Sequence, residues 1–202
     1  TTEIYTLSLH DALPIWEIQQ GDEFTVRMNG EWEFYSGTFI YGIPGGICDT
    51  LTPDCYGKVP GYWSEYTVDG KRLPRFGYGT YRAVILLPRG YRDRMGFDMP
   101  VFDTSYEISV NGVTMARNGT PARSRAESIP AYEPLFFSYM PKSDTLELLI
   151  RVSNYEHRRG GFWMPMKAGS FHTIQSNFTN QWFVSIAASG MLLASFLFFF
   201  IF

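Results

Sequence analysis

No charged side chain occurs between Phe183 and Phe202. That absence is the most informative feature of the chain. About 20 uncharged, mostly apolar residues at ~1.5 Å rise per residue cover the ~30 Å hydrocarbon core of a bilayer. The run FVSIAASGMLLASFLFFFIF is too long and too uniformly apolar for the buried helix of a soluble protein. Trp182 stands at its start, where an amphipathic ring rests at headgroup depth. The expectation is a domain tethered to a lipid bilayer, with the chain ending inside its first membrane helix at 182–202.

Other absences narrow the function. Basic residues do not outnumber acidic ones, and the net charge is −3. No electrostatic footprint for nucleic acid exists. No Gly-x-Ser-x-Gly elbow, no His-x-x-x-His pair and no phosphate loop appear. Glu31, Glu33, Glu65, Asp93, Asp98, Asp103 and Glu107 are scattered over strands and turns without a recognisable acid–base pairing. This stretch is therefore read as non-catalytic and free of cofactors. Two cysteines, Cys48 and Cys55, lie in the loop-like GICDTLTPDC. In an exported domain they close a small disulfide loop, with a pair of free thiols as the alternative. Asp49 and Asp54 beside them do not make a metal site, because no nearby His or second CxxC pair accompanies them.

The first 15 residues, TTEIYTLSLHDALPI, lack the basic start and apolar centre of a secretory signal. Reverse translation of TLSLHDALPI with suitable codons yields the string of a common sequencing-adapter oligonucleotide. Residues 1–15 are accordingly read as translated adapter, with native protein from near Trp16. About 165 residues then precede the membrane run, enough for one domain with a core.

What is present is aromatic side chains, 17% of the chain, punctuated by 19 glycines and 12 prolines. Such spacing favours many short strands. Phe24–Met28 alternates and leads through Asn29-Gly30, a turn signal, into Glu31–Tyr35. Residues 37–61 read as a long loop and 62–66 as a short strand. Residues 79–87, GTYRAVILL, form the clearest central strand, stopped by Pro88. Residues 105–117 read as a hairpin over Asn111-Gly112. Residues 134–139 and 145–153 follow as strands, the latter with Leu146, Leu148, Ile150 and Val152 on one face. No amphipathic helix is expected between 16 and 175. The pattern argues an all-β sandwich or jelly roll over 16–170. Residues 171–181 are then a connector. Pro165, Gly169 and the polar TIQSN argue against a continuous rigid helix through 164–181.

Five blocks occur in a fixed order before the membrane run: GEWEFYSG (30–37), VPGYW (59–63), GYGTYR (77–82), YEISVNG (106–112) with Asn118-Gly119, and LIRVSNYEHRRGGFWMPMKAG (149–169). Together they resemble the extracellular jelly-roll region of the bacterial seven-transmembrane receptors with diverse intracellular signalling modules. The resemblance spans nearly all of residues 22–202. It implies a galactose-binding-like jelly roll outside the inner membrane, proposed in that family to bind carbohydrate. It also implies seven membrane helices and a cytoplasmic cyclase, diguanylate cyclase, histidine kinase or phosphatase. The blocks resemble, more loosely, the sugar-binding β-sandwich at the front of β-galactosidase-like enzymes. That leaves a second reading, the binding module of a membrane-anchored glycoside hydrolase, and a third, a structural or adhesion domain.

The candidate ligand residues are Trp63, Tyr78, Arg82, Asn154, His157, Arg158, Arg159 and Trp163. Aromatic rings stack on sugar faces, while Trp32 and Tyr81 are expected in the core. Trp63 beside Gly61 and Trp163 beside Gly160-Gly161 sit in loop contexts, where exposure favours binding. The cluster Asn154, His157, Arg158 and Arg159 suits a sugar or anionic ligand, a contact coupling the jelly roll to the membrane, or a solvated basic turn. A homodimer is left open, and the expected compartment is the periplasmic face of the bacterial inner membrane.

Overall fold

The computed structural model describes residues 2–6, 13–14, 19–44, 51–101 and 105–201, the first two stretches by backbone alone. Thirteen described strands precede one helix. They are β1 (Thr2–Thr6), β2 (Leu13–Pro14), β3 (Thr25–Ser36), β4 (Cys55–Val59), β5 (Thr67–Val68), β6 (Lys71–Arg72), β7 (Gly77–Leu86), β8 (Met95–Met99), β9 (Ser105–Val110), β10 (Val113–Asn118), β11 (Leu135–Tyr139), β12 (Thr145–Asn154) and β13 (Lys167–Ser170). The helix, α1, runs over Phe171–Ile201.

The main sheet follows the path β10-β9-β12-β7-β3-β13-β8-β11. Each step along it is antiparallel. The terminal strands β10 and β11 approach each other. The sheet thus curls into a nearly closed sandwich, which leaves few open edges. This is the all-β architecture expected from the strand pattern, followed by the C-terminal apolar helix. β1 and β2 lie parallel to Val26–Gly30 and to Ile85–Leu86. Such pairing needs only the open edge of a strand and carries no information on the origin of residues 1–15.

Asn29-Gly30 does not turn the chain. β3 is one strand of 12 residues. Its start, Thr25–Arg27, pairs with β13; Gly30–Phe34 pairs with β4 and Glu33–Ser36 with β7. Gly30 sits at the exchange of partners with φ +140°, a backbone region open to glycine. The dipeptide therefore marks a change of partner within one strand. The loop expected over 37–61 contains β4, and the strand expected over 62–66 is a single 3-10 turn, Trp63–Glu65. The hairpin over Asn111-Gly112 forms as expected, both residues having positive φ. Strands β8 and β13 are not legible in the sequence. The first is buried at every position and does not alternate, and the second is the glycine-containing KAGS.

The core fills the inside of the curl. From β12 it takes Leu146, Leu148, Ile150 and Val152, all fully buried, on the face that the alternation selects. Phe34 and Tyr81 meet at 4.7 Å and Phe97 stacks on Phe137 at 4.8 Å. Burying each such side chain stabilises the fold by about 1.5–3 kcal/mol. The opposite face of β3, β7, β12 and β9 is polar but also covered. Residues 38–44 cross it: the Ile40 N–H donates to Thr80 Oγ1 at 3.0 Å, which donates to the Thr38 carbonyl at 2.8 Å. Tyr35, Ile40 and Leu149 form a small apolar cluster there.

Candidate functional site

Two blocks singled out in the sequence are laced together. The Gly61 N–H donates to the Phe162 carbonyl and the Trp63 N–H to the Gly160 carbonyl, both at 3.0 Å. The Trp63 indole N–H donates to the Arg75 carbonyl at 3.1 Å. A Cβ on Gly160 would stand 2.4 Å from the Trp63 ring. VPGYW and RRGGFW therefore belong to one packing unit, and Gly160 is there to admit an indole. Trp63 is only 3% exposed and sits 5.9 Å from Phe34. It is a core residue, and the expectation of an exposed stacking platform is corrected. Trp32 and Tyr81 are buried as expected, and Trp163 is half-buried against the core.

Arg82 is corrected as well. It is buried between Glu33 and Glu147, with 2.8 Å ion pairs to each. Glu33 also accepts the Tyr35 hydroxyl at 2.7 Å. Burial alone would make Arg82 less basic, but its hydrogen bonds to Glu33 and Glu147 outweigh that and hold it charged. Its role is to tie β3, β7 and β12 together under residues 38–44. No face is left for a ligand.

Asn154 is also buried and structural. Its amide donates to the Arg75 carbonyl at 3.1 Å and the His157 carbonyl at 2.8 Å, and its carbonyl accepts the His157 N–H at 3.0 Å. That side-chain clamp closes the 154–157 turn. His157 Nδ1 in turn accepts the Arg159 N–H at 3.2 Å. What the clamp holds toward solvent is the exposed Arg158 and the half-exposed Arg159, whose guanidinium lies 5.4 Å over the Tyr62 ring. Tyr78 is the second residue of β7 and lies beside this turn, through the Gly77–Asn154 and Tyr78–Ser153 register. It is half-exposed and packs on Phe39 at 4.9 Å. Phe76, next to it in the chain, is exposed. This end of the sandwich thus combines ring faces with cations, a set suited to sugar faces and their polar rims.

Cys48 lies outside the described residues, and the Cys48–Cys55 pairing with it. Cys55 opens β4 half-buried, and burial followed by the Asp54 charge pushes its thiol up. Among the described residues no three His, Cys, Asp or Glu side chains gather into a metal-binding group.

The other notable feature is the junction with α1. Ile174 is buried. Gly96 of β8 and Gly169 of β13 lie against it: a Cβ on either would stand 2.9 or 3.1 Å from its side chain. Phe136 of β11 meets Phe171 and Phe178 at 5.8 Å each. The helix then continues unbroken to Ile201. The connector expected over 171–181 is helical, and its TIQSN presents Ile174 to the sheet and Gln175, Ser176 and Asn177 to solvent, while Thr173 bonds to Ser170 and Glu23. From Gln181 to Ile201 every described side chain is exposed, and the helix is long and apolar enough to cross a membrane. No part of the described chain covers it. A cavity of about 660 Å³ lies at this junction, lined by both the sandwich and α1. Sequence reasoning missed it, because Arg27, Asp98 and Lys167 come from three strands and only the fold joins them.

No family model and no curated protein matches the chain. Solved structures do. The GH2 β-galacturonidase of Eisenbergiella tayi, bound to galacturonate, aligns with TM-score 0.51 and 13% identity over 78% of this chain and 26% of its own. The β-glucuronidase of Ruminococcus gnavus aligns with TM-score 0.55 and 12% identity over 76% and 29%. That of Faecalibacterium prausnitzii aligns with TM-score 0.52 and 10% identity over 76% and 32%. The chain spans a third or less of these enzymes, and the likeness establishes the β-sandwich fold.

Proposed function

We propose that this chain is the extracytoplasmic sensor module of a bacterial membrane receptor, binding a small carbohydrate and passing the event to a membrane helix. The observation that carries the reading is the unbroken α1, locked to the sandwich at Ile174 and continuing into the apolar run. A rigid lever of that kind is what a sensor needs. Ligand binding shifts a membrane bundle only by its differential affinity for the bundle's two states. The ligand surface in this reading is the end carrying Tyr78, Phe39, Phe76, Arg158 and Arg159. The module itself is non-catalytic, sits on the periplasmic face of the inner membrane, and feeds a cytoplasmic output domain.

The fold likeness to GH2 enzymes favours a second reading, the binding module of a membrane-anchored glycoside hydrolase. Six further hydrophobic runs in the gene support the receptor; a catalytic barrel supports the hydrolase. Both readings are tested by thermal unfolding against a panel of neutral sugars and uronates. A ligand at about 100 times its Kd stabilises the fold by about 2.7 kcal/mol. A shift with one sugar class, lost in Tyr78→Ala, is expected. No shift across the panel contradicts carbohydrate binding.

A further inference from the structure

The cavity at the junction is built differently from the ligand surface above. On the helix side it is lined by Phe178, Gln181, Trp182 and Ser185, spaced i, i+3, i+4 and i+7 and so on one face. Together they cover about 10 Å of helix axis. Trp182 immediately precedes the charge-free run, so this wall straddles the headgroup level of a bilayer. On the sandwich side the lining includes Arg27, Asp98 and Lys167. Lys167 Nζ lies 3.2 Å from Asp98 Oδ2. An ammonium has three donors, so this pair leaves two for another acceptor. Arg27 is exposed. Two cations against one carboxylate leave the wall with a net positive charge. Pro100, Val101, Pro134, Met164 and Pro165 add apolar surface.

We propose that this cavity seats the headgroup of an anionic phospholipid, its phosphate between Arg27 and Lys167 and its acyl chains running down α1 past Trp182 and Ser185. Three observations converge on that occupant. The volume is that of a small-molecule site. The polar lining carries an excess of positive charge, which attracts anionic lipid. The apolar lining continues onto a helix face that enters the hydrocarbon. A bound lipid fixes the height and tilt of the sandwich on the membrane, and so sets the resting position of the lever. The inference rests on α1 being a membrane anchor.

The test uses the full chain in detergent, titrated with phosphatidylglycerol or phosphatidylcholine and read by native mass spectrometry, with liposome flotation in parallel. Flotation establishes the anchor independently. One retained phosphatidylglycerol, bound about tenfold more tightly than phosphatidylcholine, is expected. Arg27→Gln, at an exposed position, is expected to abolish that preference. Ser185→Phe, which fills the cavity and keeps both cations, is expected to evict the lipid. Equal retention of the two lipids by a chain that floats overturns the proposal. So does retention unchanged in both variants. Displacement by millimolar inorganic phosphate would mark a free-anion site and overturn it, as would a lipid-free dimer formed through this face.

Discussion

Three positions carry consequences at the scale of single residues: Arg82, Gly160 and Glu107. Arg82 holds two buried carboxylates. Its loss leaves Glu33 and Glu147 with an uncompensated buried charge, so Arg82→Met is expected to cost about 3–5 kcal/mol in urea unfolding. The concerted replacement of all three by apolar residues is expected to recover much of that loss, since paired buried charges contribute little over well-packed hydrophobes. Gly160→Ala drives a methyl into the Trp63 ring, and overpacking of this kind costs about 1–3 kcal/mol. Glu107 gives a pH signature. Burial alone would raise its carboxyl, but Arg117 and Arg151 hold it below the usual carboxylate range. A depressed folded-state pKa contributes stability that is fully present above the unfolded value of ~4.3 and is lost as pH falls through the folded one. Glu107→Gln is expected to flatten the stability profile in that acid window and to change its slope little near neutrality.

Elements show why some of the sequence was legible and some was not. β7, β12 and the β9–β10 hairpin were readable because each states its own geometry. The first two alternate around buried apolar positions, and the hairpin carries an Asn-Gly turn with the φ values that turn needs. Asn29-Gly30 misled because the same dipeptide serves to bend one strand between two partners, a choice set by β4, β7 and β13 far away in the chain. β13 was hidden for the same reason. KAGS has little strand propensity, and its pairing with β3 and β8 holds it extended. The sites divide in the same way. Tyr78, Arg158 and Arg159 reach solvent, whereas Trp63, for which the sequence suggested an exposed loop position, is buried together with Arg82 and Asn154 by contacts more than 10 residues distant in sequence. At the junction, Ile174→Ala removes the residue that pins α1 to the sheet. A buried Ile→Ala change costs about 2–5 kcal/mol, and here it is expected to loosen 171–181 while the apolar run stays helical.

Taken as a whole molecule, the sandwich presents two ends with different chemistry. The end bearing Tyr78 and the 154–159 turn displays ring faces and cations toward solvent. The junction bears α1, whose apolar stretch is exposed along its whole described length. β3 and β7 take part in both the core and the buried Glu33–Arg82–Glu147 brace. Displacements at one end therefore meet a stiff sheet before they reach the helix. A flexible connector over 171–181 would absorb such a displacement; a continuous helix docked at Ile174 transmits it. The measurement that bears most directly on this is hydrogen–deuterium exchange of the full chain in lipid nanodiscs, resolved over residues 171–181. Protection comparable with that of β8 and β13, and its loss in Ile174→Ala, is the expected result. Exchange in 171–181 at the rate of an unstructured peptide would contradict the rigid junction and, with it, the proposed coupling of the sandwich to a membrane.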